Sequence, residues 1–257
     1  EVRTTNLPWH VMPSNLAAVL GTDRIRLLND LEATALGGLH LPADRRLTWQ
    51  EGQARVGTIA VLAAGTGLGQ AFLFWDGQRH WPAATEGSHT EFGPATDDDQ
   101  ALLAFARTRY GHVSWERLVS GPGLGLMLDF FRTVRQRTPA ASVLARLAAG
   151  HDPGAVVGEA AVAGTCTVCQ DIVRWFSRLY GAQAGNLALS VLALGGVWLG
   201  GGVTLRLLPA LDRLEFQRGF QDKGRYRTLM ASLPVQVLLE PRTALLGALD
   251  AAVALVA

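Results

Sequence analysis

Hydrophobic and polar positions alternate in blocks along this chain. Short apolar runs closed by glycine turns give way to longer stretches with helical spacing. The runs at 2–5, 25–28, 59–62, 70–75, 196–199 and 234–239 predict strands. Helices are predicted at 14–20, with Ser14 as N-cap and Gly21 as the stop, and at 31–36, ending at Gly37 and Gly38. Further helical stretches fall at 99–110, 125–137, 140–149, 155–185, from 186 onward, 205–211 and 243–256. Residues 42–53 read as a polar connector. Strands alternating with helices imply an α/β layered fold, and no repeat of fixed period is present.

The stretch 58–69 is the most informative. Its apolar run ends in Gly65, Thr66, Gly67, Leu68 and Gly69, and a second apolar run follows at once, so the glycines form a hairpin turn. Such a turn is either an ordinary tight hairpin, with glycines accepting positive φ, or a nest of backbone N–H groups that holds a phosphate. A second glycine turn, Gly200, Gly201 and Gly202, follows another apolar run. Two such turns suit a nucleotide held across a cleft.

Composition narrows the class. With 257 residues, 49% hydrophobic, 18% charged and a net charge of +1, the chain is globular and has no dominant nucleic-acid or acidic-membrane partner. Lys223 is its only lysine, a bias we attribute to genome composition. The two cysteines, Cys166 and Cys169, lack a second ligand pair for a closed zinc site and are either buried structural thiols or a redox pair. No signal peptide is evident, and the uncharged stretch 186–205 carries five glycines, fitting a buried strand and loop rather than a lipid-facing helix. A soluble protein of the reducing cytoplasm is expected.

Candidate chemistry comes from carboxylates. Asn29 and Asp30 stand where a strand would deliver its last residues to a helix, an address for a catalytic carboxylate, although Asp30 could simply cap that helix. Glu86, His89 and Glu91 crowd one loop bounded by glycine and proline. They read as sugar-hydroxyl ligands, or as a structural histidine with two solvated charges. Glu116, before the Gly121–Pro122–Gly123 turn, is a further ligand or a surface carboxylate. No P-loop, dinucleotide fingerprint or nucleophile elbow is present.

The order of these motifs resembles the bacterial glucokinase family. It runs Leu28-Asn29-Asp30, Gly65 to Gly69, Glu86 to His89, His112 to Arg117, then Ser120 to Gly123. Gly185-Asn186, Gly195 to Gly202, Phe220 to Arg225 and Leu245 to Gly247 continue it. The resemblance implies an actin-like ATPase (ribonuclease H-like) two-domain sugar kinase fold and phosphorylation of glucose by ATP with Mg²⁺, by a homodimeric glycolytic enzyme. It makes Asp30 the general base, and Asn29, Glu86, His89 and Glu116 ligands of the other hydroxyls. It sets Gly65, Thr66 and Gly67 against the phosphates and Gly200, Gly201 and Gly202 beside the adenosine. The small domain would be 1–40 with 241–257, and the large domain 41–240. The family's first phosphate loop has no counterpart here, so a truncated small domain is expected. One rival is a sugar sensor without ATP chemistry. A remoter one is a glycoside hydrolase using two of Glu86, Glu91 and Glu116.

Overall fold

The structure, a computed structural model, describes residues 2–3, 10–53 and 55–255. Strands β1 (Val2–Arg3) and β2 (His10–Val11) form a small antiparallel ribbon, so Thr4 and Thr5 of the expected first strand lie outside the described residues. Helix α1 (Pro13–Leu20) follows, then α2 (Asp30–Leu39), β3 (Arg46–Gln50), β4 (Ile59–Ala64), β5 (Leu68–Trp75) and β6 (His80–Thr85). Five helices come next: α3 (Asp97–Arg107), α4 (Trp115–Leu118), α5 (Gly121–Thr133), α6 (Ala141–Ala148) and α7 (Pro153–Val162). The chain continues with α8 (Thr167–Ser190), β7 (Gly196–Gly200), α9 (Gly202–Leu207), α10 (Arg213–Gln221), α11 (Arg227–Ser232), β8 (Val235–Leu238) and α12 (Thr243–Val253).

Six strands make one sheet in the order β3-β8-β7-β4-β5-β6. The centre, β8-β7-β4, is parallel, and the flanking pairs are antiparallel. Alternation along β4 divides the core in two. Ile59 and Val61 join Leu36, Trp198 and Ala251 beneath α2 and α12, whereas Ala60, Leu62 and Ala64 join the larger core built on α5, α7, α8 and α10. Tyr180, fully buried in α8, ties that core to the sheet. Its hydroxyl bonds the Leu62 carbonyl at 3.1 Å and Thr204 Oγ1 at 3.0 Å, and burial pushes its pKa up.

Several local expectations are corrected. Residues 25–28 form no strand, because no described strand flanks them to complete a ladder. The supposed connector contains β3, whose Arg46 crosses to α2, donates to the Gly38 carbonyl at 2.7 Å and lies over the Trp198 ring. Met12, not Ser14, is the N-cap of α1, because Pro13 already takes the first helical position. The expected 155–185 helix breaks into α7 and α8, bent by 100° around Gly164 at φ +68°. Gly185 does not end a helix but lies inside α8, where its bare Cα lets Phe220 of α10 approach. Both cysteines are buried at the start of α8, and the Ala140 N–H donates to Cys166 Sγ at 3.4 Å, which places the pair in the core. Among the described residues no single helix is long and apolar enough to cross a membrane.

Candidate active site

A cleft of about 570 Å³ opens where β4, β7 and β8 end side by side at their carboxyl termini, the position at which open α/β sheets place ligands. Three turns and two helix starts border it.

The first border is the β4–β5 turn. The Gly65 N–H donates to the Gly67 carbonyl at 2.8 Å, and the Gly121 N–H donates to the Gly65 carbonyl at 2.9 Å, so the turn is fastened to the start of α5. None of Gly65, Gly67 and Gly69 has positive φ. Close approach, not handedness, requires Gly67 and Gly69. A Cβ on Gly67 would fall on Glu116 Oε2, and one on Gly69 would fall on Leu31 of α2.

The β7–α9 turn lies beside it, β7 being the parallel neighbour of β4. Gly201 is at φ +92°, and a Cβ there would strike the Ala64 carbonyl at the end of β4, so this position admits only glycine. Gly200 and Gly202 border the same space.

Asn29 and Asp30 open α2 on the third side. Asn29 is the N-cap: its Oδ1 accepts the Leu31 N–H at 2.8 Å, and Glu32 Oε2 accepts the Asn29 N–H at 3.1 Å, completing a capping box. Asp30 is thereby the first helical residue rather than the N-cap; its Oδ1 also accepts the Leu31 N–H at 2.9 Å, and the residue borders the cleft. At the far wall α12 begins with Thr243. Beside it Glu240, which the Arg242 side chain and backbone N–H contact at 3.0 and 2.9 Å, is held below the usual carboxylate pKa range.

Glu86, His89 and Glu116 meet at the remaining corner. The Phe92 N–H donates to the Val113 carbonyl and the Trp115 N–H to the Thr90 carbonyl, zipping the two segments together. His89 consequently lies between two carboxylates, Nε2 3.6 Å from Glu86 Oε2 and Nδ1 3.8 Å from Glu116 Oε1. Glu91 does not reach the cleft; its backbone bridges to Ser114, which removes it from the carboxylate pairs a hydrolase would need. Gln70, Thr34 and Ser88 also border the cleft and were not singled out in the sequence. The alternation of β5 beyond Gly69, which faces α2, could have marked Gln70 as facing the other way.

A second, mostly apolar cavity of about 510 Å³ adjoins the cleft through Gly65 and Thr66. Residues Gly154 and Gly158 of α7 and Val203 of α9 wall it.

The sequence model of the family described as Glucokinase matches residues 1–255. The chain is 35% identical to a glucokinase from Synechocystis, covering 96% of itself and 73% of that protein. To a glucokinase from Chromohalobacter salexigens it is 38% identical, over 98% and 76% respectively. Among solved structures it resembles a glucokinase from an Antarctic psychrotroph with a TM-score of 0.82 and 30% identity, over 95% of this chain and 73% of that one. A glucokinase from Streptomyces griseus of the ROK family, at 23% identity and a TM-score of 0.60, shares the fold over 93% of this chain and 70% of its own. By the family model and these relatives, the chain belongs to the glucokinase family.

Proposed function

We propose that the cleft transfers the terminal phosphoryl group of ATP to the 6-hydroxyl of glucose, giving glucose 6-phosphate and ADP. One observation carries this reading: the Asp30 carboxylate shares a single cleft with two glycine turns at the ends of parallel strands. Phosphoryl transfer needs an aligned hydroxyl, an acceptor for its proton and donors along the phosphates. Asp30 takes the proton. The amide of Asn29, the carboxylates of Glu86 and Glu116, and the His89 ring hold the other hydroxyls. The Gly65 to Gly67 turn with Thr66 supports the phosphates, and the Gly200 to Gly202 turn flanks the nucleoside. The adjoining, mostly apolar cavity offers room for the adenine ring.

Mg²⁺ carried by the nucleotide would neutralise charge on the phosphates. Such an ion keeps most of its waters and needs only one or two protein carboxylates. Asp30 and Glu240 border the cleft and suit that mode. Among the described residues no three acidic, histidine or cysteine groups gather into a protein-only cage. The same reading divides the chain into a small unit, 1–40 with 241–257, closing on a large one, 41–240. It also makes the protein a homodimer of bacterial glycolysis in the cytoplasm, and light scattering decides the dimer.

Asp30→Asn tests the central role. Turnover in a coupled assay should fall by at least about 10²-fold while calorimetric affinity for glucose stays within about threefold. Near-normal turnover would remove Asp30 as the base.

A further inference from the structure

Gln70 is 3% exposed, borders the cleft from β5, and its Nε2 has no hydrogen-bond partner among the described residues. The other two buried nitrogens in that condition belong to Arg46 and Trp49, neither of which borders the cleft. Buried polar groups are almost always paired, so an orphaned amide at a ligand cleft points to a partner that arrives with the ligand. Its place is specific. Gln70 pairs across strands with Thr85, and its Oε1 stands 2.8 Å from where a Gly87 Cβ would be, so the carboxamide underlies the turn that carries Glu86, Ser88 and His89.

The chemistry of the site supplies the missing half. A sugar hydroxyl both donates and accepts, and ionised carboxylates only accept. Asp30, Glu86 and Glu116 make this cleft rich in acceptors. Asn29 has already spent its oxygen on the helix cap and offers only its amide protons. A hydroxyl that donates to one of these carboxylates can still accept, and Gln70 Nε2, under the turn that carries Glu86, is an uncommitted donor. We propose that Gln70 is a sugar-specificity residue, whose amide donates to one ring hydroxyl on the Glu86 side of the hexose, away from the 6-hydroxyl at Asp30. The proposal rests on the cleft being the sugar site.

Calorimetric titration of glucose and of 1-, 2- and 3-deoxyglucose into the unaltered chain, Gln70→Met and Glu86→Gln tests it. Gln70→Met should bind glucose about 3- to 10-fold more weakly, the worth of one neutral hydrogen bond. One deoxyglucose, the sugar lacking the hydroxyl that Gln70 reads, should bind Gln70→Met and the unaltered chain equally. Melting temperature should hold or rise, since an orphaned donor is gone. Unchanged affinity for all four sugars in Gln70→Met, with Glu86→Gln weakened, overturns the role of Gln70 and leaves the cleft reading intact. Normal glucose binding by both variants overturns the cleft reading itself. Should Gln70→Met fail to fold, Gln70→Leu removes the donor without adding a charge, and the same sugar pattern decides.

Discussion

Glu116 Oε2 accepts the backbone N–H of Leu68 at 2.9 Å, while its Oε1 lies 3.8 Å from His89 Nδ1. One carboxylate therefore joins the glycine turn after β4 to the loop that carries His89. Gly67 makes the join possible, because any Cβ there would occupy the place of Glu116 Oε2. Gly67→Ala should drive the carboxylate out of position although it removes no side chain. A hydrogen bond to a charged group contributes about 1.5–3 kcal/mol, and losing the position it fixes should weaken glucose binding by about tenfold or more. Melting temperature should fall by about 3–12 °C, because the same bond is lost from the folded chain. Calorimetry beside a thermal scan checks both, and an unaltered glucose affinity would show that Glu116 does not need Leu68.

Asn29 carries two duties on two atoms. Its oxygen caps α2, which leaves its amide nitrogen as the donor this residue can offer at the cleft it borders. Aspartate is an equally good N-cap and is favoured by the helix dipole, so Asn29→Asp should leave stability nearly unchanged. Asn29→Ala should cost about 1 kcal/mol. In glucose titrations the order reverses, since Asn29→Asp loses the donor and adds a negative charge beside Asp30. It should bind glucose at least as poorly as Asn29→Ala. Parallel melting and titration data separate the duties, and an aspartate variant that binds normally would confine Asn29 to the cap.

How far this was legible depended on whether a signal was local. The β4–β5 hairpin, the Gly21 stop at φ +66° and the two glycine turns are written in neighbouring residues. Gly37, Gly38 and Gly185 were not legible as helix interior. A glycine that ends a helix and one that lets another helix cross look identical until the partner is known, and α12 and α10 lie far along the chain. The missed β3 is an edge strand of mixed composition, held by β8 nearly two hundred residues away. The site residues were individually ambiguous and gained meaning from their order. Gln70 shows in the sequence only as the alternation after Gly69, because its significance is an absence of partners that three dimensions reveal.

Asp76 gives the chain a pH-dependent element remote from the cleft. Its Oδ1 accepts the Gln78 and Arg79 N–H groups at 2.8 Å each, and its Oδ2 accepts Trp81 Nε1 at 2.7 Å. The Arg79 N–H above all, then Trp81 and Gln78, lower its pKa from 3.8 to about 2. A carboxyl depressed by folding stabilises the fold above its ordinary pKa and loses that contribution as pH falls through about 2. The melting-temperature gap between the unaltered chain and Asp76→Asn should be full at pH 6 and close between about pH 4 and pH 2. A gap independent of pH would assign the effect to the turn's shape and not to its charge.

Helices α2 and α12, which both begin at the cleft, cross at Gly37 and Gly247. Gly37 and Gly247 meet there with backbone on both sides: a Cβ on Gly247 would fall on the Ala33 carbonyl and the Gly37 nitrogen, and one on Gly37 on the Thr243 carbonyl. No flexible side chain can yield, so the helices themselves must separate. These helices begin at Asp30 and Thr243, both of which border the cleft, so separation at the crossing should displace both. Overpacking of this kind costs about 1–3 kcal/mol, which for a chain of this size lowers melting by about 2–12 °C. Gly247→Ala should show that drop together with a raised KM for glucose. Leu249→Ala, on the outer face of α12 where Leu249 is 62% exposed, should change neither. A Gly247→Ala chain that melts and binds like Leu249→Ala would mean that α12 can move away from α2 without disturbing Asp30.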